Sequence, residues 1–128
     1  MKIGKDLVAA SAVPLVLAII ADGESYGYAI IQRVRELYQG ELEWSDGMLY
    51  PVLHWLEENE YVRARWRVAE SGRRRRYYNI TSQGQAQLAD QRRQWQAVDA
   101  TLRRIWHALC LSVPAGRLSS AVALPPGA

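Results

Sequence analysis

The chain has 128 residues, 49% of them apolar, which is enough for one core and too few for two. Its single cysteine, Cys110, excludes an internal disulfide and points to a reducing compartment, the cytoplasm. The net charge is only +3, but it is segregated. Six acidic residues and no Lys or Arg lie between Glu41 and Glu60, whereas seven Arg face Glu70 alone between Arg63 and Arg76, a field suited to a polyanion at one element.

From the N-terminus, Leu7 to Ala21 is an uncharged apolar run of fifteen residues. A membrane-spanning helix needs about twenty. Pro14 interrupts the run, and Ile19 and Ala21 make a poor signal-peptide cleavage site, so the expectation is a core helix from about Asp6 to Ala21 and no membrane partner. Being apolar nearly all round, it should be buried on several sides. Asp22-Gly23 ends it, and Ser25 is placed to cap a second helix with Ile30, Ile31, Val34 and Leu37 inward and Gln32, Arg33, Arg35 and Glu36 outward. Gly40 stops that helix, and a brief strand is expected over Leu42 to Trp44.

Ser45 is the expected N-cap of a third helix, in which Leu49, Val52, Leu53 and Leu56 form one buried stripe and Tyr50 and His54 lie on the opposite side. Pro51, inside this helix, predicts a late start or a slight kink. Two short helices joined by a Gly-containing turn form a helix-turn-helix, whose second helix can enter a DNA major groove. Val62, Ala64, Trp66 and Val68 then alternate with Arg63, Arg65 and Arg67, a strand with one core face and one cationic face. Glu70-Ser71-Gly72 supplies a turn, and Arg74 to Ile80 returns with Tyr78 and Ile80 inward beside Arg76. The resulting hairpin carries Arg73, Arg74, Arg75 and Arg76, four guanidinium groups that suit phosphate or minor-groove contact.

Thr81 caps a long final helix from about Ser82 to Leu109. Leu88, Trp95, Leu102 and Leu109 repeat every seven residues with Val98 and Ile105 between them, the seam of a coiled coil and hence of a homodimer. From Ser112 the composition shifts to Pro, Gly, Ala and Ser, as in a flexible tail. The expected fold is therefore mainly α with a small β-hairpin wing: a DNA-binding part over residues 1–80, a dimerisation helix over 81–111 and a tail over 112–128.

The pattern Leu49-Tyr50-Pro51, then Leu53 and Leu56-Glu57, with Ser45 and Gly47 before it and Tyr61-Val62 after it, resembles the PadR family of bacterial transcriptional regulators. Tyr26-Gly27-Tyr28, Arg73 to Tyr78, and Ile80-Thr81 with Gly84 fit in the same order. The resemblance implies a winged helix-turn-helix dimer on double-stranded DNA, more often a repressor than an activator. DNA contact is expected from Tyr28, Ser45, Asp46, Gly47, Met48, Tyr50, Pro51, Arg73, Arg74, Arg75 and Arg76. Because the third helix carries no Lys or Arg, its N-terminal turn must make the approach, with the acidic residues Glu57, Glu58 and Glu60 pointing away. Two positions depart from the family pattern: Met48 stands where threonine is common, and Glu60 where glycine is usual. The second departure predicts that Asn59 takes the left-handed cap conformation.

Ligand-responsive members bind flat aromatic compounds at the dimer interface, which the resemblance places between two copies of Trp95, with Asp99 favouring cationic ligands. Trp44, Trp55 and Trp66 are expected to serve core and edge packing. His54 with Glu58 and His107 with Cys110 have helical spacing without the convergent ligands of a structural metal site. No phosphate-binding loop or catalytic motif occurs, so neither a cofactor nor an enzymatic activity is expected. Two other readings compete with DNA regulation: a dimeric small-molecule-binding protein, and a protein-interaction module that uses the winged fold without DNA.

Overall fold

A computed structural model describes residues 3–42 and 44–109. Its elements, in chain order, are α1 (Lys5–Ala21), β1 (Ser25–Tyr26), α2 (Gly27–Leu37), α3 (Asp46–Glu58), β2 (Val62–Val68), β3 (Arg74–Ile80) and α4 (Ser82–Ala108). The chain divides into one unit up to Gln91 and another from Arg92 onward. The sequence readings at Cys110 and over 112–128 lie outside the described residues.

In the first unit, α1, α2 and α3 pack around one another and against the root of the hairpin. Val16, Leu17 and Ile20 of α1, Ile30 and Val34 of α2, and Leu49, Leu53 and Leu56 of α3 are all essentially inaccessible to solvent. Each such side chain contributes about 1.5–3 kcal/mol on burial. α1 is less enclosed than its composition predicts, because only the stripe Val8, Ala12, Val16, Leu17 and Ile20 is buried while Leu7 is exposed. No helix among the described residues is long and apolar enough to cross a membrane. In α2 the stripe ends one turn early, and Leu37 is exposed.

The sheet has three strands in the order β1-β3-β2, all antiparallel neighbours. Its third strand is not where the sequence suggested. Ser25 pairs with Tyr78 and Tyr26 with Tyr77, so Ser25 is a buried strand residue and Tyr26, without a side-chain cap, precedes α2. Leu42 and Trp44 belong to no strand, and Glu43 lies outside the described residues. The left-handed backbone at Gln39 (φ 55°) and Gly40 (φ 80°) turns the chain from α2 toward α3.

Ser45 stands at the N-cap of α3 as expected, but its hydroxyl makes no cap hydrogen bond; its carbonyl accepts from the N–H groups of Met48 and Leu49. The helix starts at Asp46 and includes Pro51, so the late start does not occur. At its other end Tyr61 N–H donates to the Leu56 carbonyl at 2.9 Å and Glu60 N–H to that of Glu57 at 3.0 Å, the paired bonds of a Schellman cap. Glu60 (φ 62°), not Asn59 (φ −87°), adopts the left-handed conformation. Asn59 instead turns its side-chain amide onto the Trp55 carbonyl at 2.9 Å.

Thr81 joins the end of β3 to α4 and is bonded on several sides. Its N–H donates to the Tyr61 carbonyl at 3.0 Å, its hydroxyl donates to the Glu60 carbonyl at 2.6 Å, and the same oxygen accepts from Gly84 N–H at 3.0 Å. Gly84 is required there because a Cβ would collide with the Tyr61 carbonyl and press on Ile80 at 2.7 Å. In the second unit, the part of α4 from Arg92 is solvated all round, with Trp95, Val98, Leu102, Ile105 and Leu109 exposed along the expected stripe. Trp106, also exposed, widens that stripe.

Candidate nucleic-acid interface

Alternation along β2 and β3 assigns their side chains to two faces. The register Val62↔Ile80, Ala64↔Tyr78, Trp66↔Arg76 and Val68↔Arg74 forms the inner face, and Arg63↔Asn79, Arg65↔Tyr77 and Arg67↔Arg75 the outer one. Only the root of the inner face meets the core: Val62 and Tyr78 are buried and Ala64 is half-buried, but Trp66 is 56% exposed and Val68 68%. The expectation that this whole face packs on the core fails beyond Ala64, because the hairpin extends past the helices that would cover it. Trp55 is likewise exposed, beside Tyr61, so of the three tryptophans assigned to packing only Trp44 is buried.

Between the start of α2, the face of α3 and the distal half of the hairpin lies a groove of about 600 Å³. It is lined by Tyr26, Gly27, Tyr28, Tyr50, Trp66 and Tyr78 together with Arg73, Arg74, Arg75 and Arg76. Tyr28, Tyr50 and Trp66 present exposed rings. Gly27 opens α2 with no side chain because the Tyr50 ring lies against it; a Cβ there would strike the Tyr50 hydroxyl. The Tyr-Gly-Tyr motif thereby leaves room for the Tyr50 side chain of α3.

The four arginines are not equivalent. Arg74 lies over Trp66 with 5.1 Å between guanidinium carbon and ring centre, and Arg75 over Tyr26 at 4.3 Å. Arg76 forms an ion pair with Glu57 at 2.5 Å. The acidic end of α3 thus does not point wholly away, since Glu57 reaches the wing and neutralises one of its arginines. Burial raises the pKa of Tyr78, outweighing the opposite pull of Arg76.

Of the expected DNA-contacting residues, the groove gathers Tyr28, Tyr50 and Arg73 to Arg76. Ser45, Asp46, Gly47, Met48 and Pro51 are exposed at the start of α3 but do not line it. The sequence reading missed Trp66 and Tyr26, whose part becomes visible only when the register sets them beside arginines. It also missed Glu24 on the outer face. The Glu24 carboxylate accepts from Arg67 at 2.6 Å and from the Asn79 amide at 2.9 Å, with Arg65 3.8 Å away. The Asn79 hydrogen bond, with the Arg67 and Arg65 charges, holds its pKa below the ordinary carboxylate value.

On the second unit, Asp99 accepts from Arg103 Nε at 2.8 Å, and that bond raises the Arg103 pKa. His54 and Glu58 pair at 3.2 Å on the solvated side of α3, and no group of three His, Cys, Asp or Glu converges among the described residues.

Three helices, a hairpin wing and a helix-turn-helix presented beside it define a winged-helix protein. The description "Transcriptional regulator PadR-like family" matches residues 16–90, well over half of the chain, so the protein belongs to that family of transcriptional regulators. An uncharacterised protein of Lysinibacillus sphaericus is 31% identical over 84 residues, 66% of this chain and 77% of that protein. The transcriptional regulator YqjI of Escherichia coli is 28% identical over 89 residues, and the match covers 70% of this chain but 41% of YqjI. Among solved structures, a transcriptional regulator from Clostridium thermocellum superposes with a TM-score of 0.72 at 24% identity, covering 80% of this chain and 96% of that one. A protein from Streptococcus mutans gives 0.69 at 30% identity, covering 77% and 89%.

Proposed function

We propose that the protein is a sequence-specific DNA-binding repressor of the cytoplasm that acts as a homodimer, with residues 1–80 contacting DNA and 81–111 pairing the two copies. The observation that carries this reading is the groove between α3 and the wing, where three exposed aromatic rings and a row of arginines converge. α3 enters the major groove by its first turn, where Ser45, Asp46, Gly47, Met48, Tyr50 and Pro51 are exposed. Met48 and Tyr50 meet base edges or thymine methyls, while the wing supplies the cations that α3 lacks. Tyr28 reaches the same backbone from the start of α2.

Pairing through α4 is supported by the apolar stripe Trp95, Val98, Leu102, Ile105 and Leu109, too regular and too exposed to be left in water; Leu88, in the first unit, packs partly against the core. Trp95 sits on that stripe, which supports a flat aromatic effector held between the two copies. Asp99, one turn on, favours a cationic one, although Arg103 competes for its carboxylate. Such a ligand would release DNA by preferring one spacing of the paired helices.

The test is the salt dependence of binding to duplex DNA. Replacing Arg73, Arg74 and Arg75 by Ala should flatten the slope of log affinity against log salt by about 0.9 for each phosphate that is no longer neutralised, with the melting temperature unchanged. A folded variant that retains the wild-type slope would exclude these three arginines from DNA.

A further inference from the structure

We propose that the outer face of the sheet is a second phosphate-binding surface, on which Arg65, Arg67 and Arg75 take the backbone of duplex DNA running past the segment read by α3, and that Glu24 occupies this surface until the phosphodiester displaces it. The proposal rests on the DNA-binding reading above and extends it to a face that the helix-turn-helix does not include.

Arg67 and Arg75 face one another directly in register on the same face of the sheet. Like charges in that relation repel, so the arrangement needs compensation. Part of it is aromatic: Arg67 lies 4.2 Å over Tyr77 and Arg75 4.3 Å over Tyr26, while the two rings meet edge to face at 5.4 Å. The rest is a single carboxylate, that of Glu24, against Arg67 and Arg65. Counting Arg63, Arg65, Arg67 and Arg75 against Glu24, the face keeps three positive charges in excess.

Stacking fixes the guanidinium planes and leaves N–H edges for an anion, so little side-chain freedom remains to be lost on binding. Glu24 stands where a phosphate would stand, bridging two guanidinium groups and tied back by Asn79. The pair is reached by water, with the Arg67 side chain 44% exposed and that of Glu24 27%, and ion pairs that water reaches are weak enough for a polyanion to replace. Continuity supports DNA as the occupant. β1 pairs only with Tyr77 and Tyr78, so among the described residues β3 has a free edge at Arg74 to Arg76. Arg75 lines the groove at that edge and also belongs to the outer face, so the cationic strip runs from one face to the other without a break.

The experiment titrates the full chain with a 40-base-pair duplex of random sequence over a range of salt concentrations. Glu24→Gln should bind more tightly and steepen the salt slope by about 0.9 for each phosphate newly engaged. Arg65→Gln/Arg67→Gln should flatten the slope, and adding Glu24→Gln to that pair should restore nothing. Arg65→Lys/Arg67→Lys, which preserves the charge, should keep most of the slope, and circular dichroism should report all variants folded. If Glu24 only positions Arg67, Glu24→Gln will weaken binding or leave the slope unchanged, and the proposal is overturned. If the outer-face variants match wild type while removal of Arg73 and Arg74 flattens the slope, the DNA reading survives without the second surface. Wild-type protein that binds no duplex at all overturns both.

Discussion

The hairpin meets the apolar core at its root, whereas its distal half is joined to the rest of the chain only by ion pairs and ring contacts among the described residues, although one alternation of residues runs through both. At the root, Val62 and Tyr78 are buried, and Thr81 ties the turn after α3 to the start of α4 through three short hydrogen bonds. Two pairs further out, Trp66 and Val68 point in the same direction as Val62 and meet no core. Period two assigns a face, while burial depends on whether another element reaches that far. It also separates two kinds of residue: those at the root hold the fold, and those of the distal half have side chains to spare for a partner.

Substitutions on either side of that division test it. The largest effect on stability is expected at the root, where Gly84→Ala would drive a methyl group into the Tyr61 carbonyl, a backbone atom that cannot swing aside. Overpacking of this kind costs about 1–3 kcal/mol, measurable as a lowered urea midpoint. A midpoint equal to wild type would mean that the joint is looser than its hydrogen bonds imply.

A smaller gain is expected one step away. Glu60 carries the left-handed backbone of the α3 cap, which costs a non-glycine residue about 1–2 kcal/mol. Glu60→Gly should therefore raise stability, by about 0.5–1 kcal/mol once the extra freedom of glycine in the unfolded chain is set against the relief. Chemical denaturation reads this directly, and a decrease would show that the glutamate contributes more through its side chain than its backbone loses.

The smallest change in stability is expected in the distal half, despite the size of the residue removed. Trp66→Ala uncovers no core and should shift the unfolding free energy by no more than about 0.5 kcal/mol. Its effect should appear in DNA binding, because Arg74 loses the ring beneath it, an interaction worth about 0.5–1 kcal/mol at an exposed site. A large loss of stability would place Trp66 among the structural residues and erase the contrast between root and tip.

What the sequence disclosed follows the same line. The stripe Leu49, Leu53 and Leu56 announced α3 because a helix repeats its buried positions often enough to be counted; β2 announced itself by seven-residue alternation, and β3 as the return strand after the turn at Glu70-Ser71-Gly72. β1 could not, since two residues show no period, and Ser25 carries the residue type of a cap. The groove was half legible. Arg73 to Arg76 and Tyr50 stood out by composition and motif, but Trp66 looked like a core residue because its exposure depends on where α3 ends. Glu24 and Glu57 were misread or missed because their partners come from elsewhere in the chain: Asn79 is 55 positions from Glu24, and Arg76 is 19 from Glu57. The departure at Glu60 was visible as a missing glycine; that Glu60 itself would bear the strain, rather than Asn59, followed only from the bonds of Tyr61 and Glu60 to the end of α3.

The joint at Thr81 also sets where the chain can change length. Loop tips with small polar residues accept insertions cheaply, since each doubling of a loop costs only about 0.6 kcal/mol. The turn at Glu70-Ser71-Gly72, exposed at the end of the hairpin, is such a place. Between Ile80 and Ser82 there is a single residue, and it serves two carbonyls of one segment and an N–H of the next. An added residue there would pull the Thr81 hydroxyl away from either Glu60 or Gly84. The wing can therefore be lengthened or trimmed at its tip without disturbing the core, while the spacing between wing and final helix is fixed to the residue.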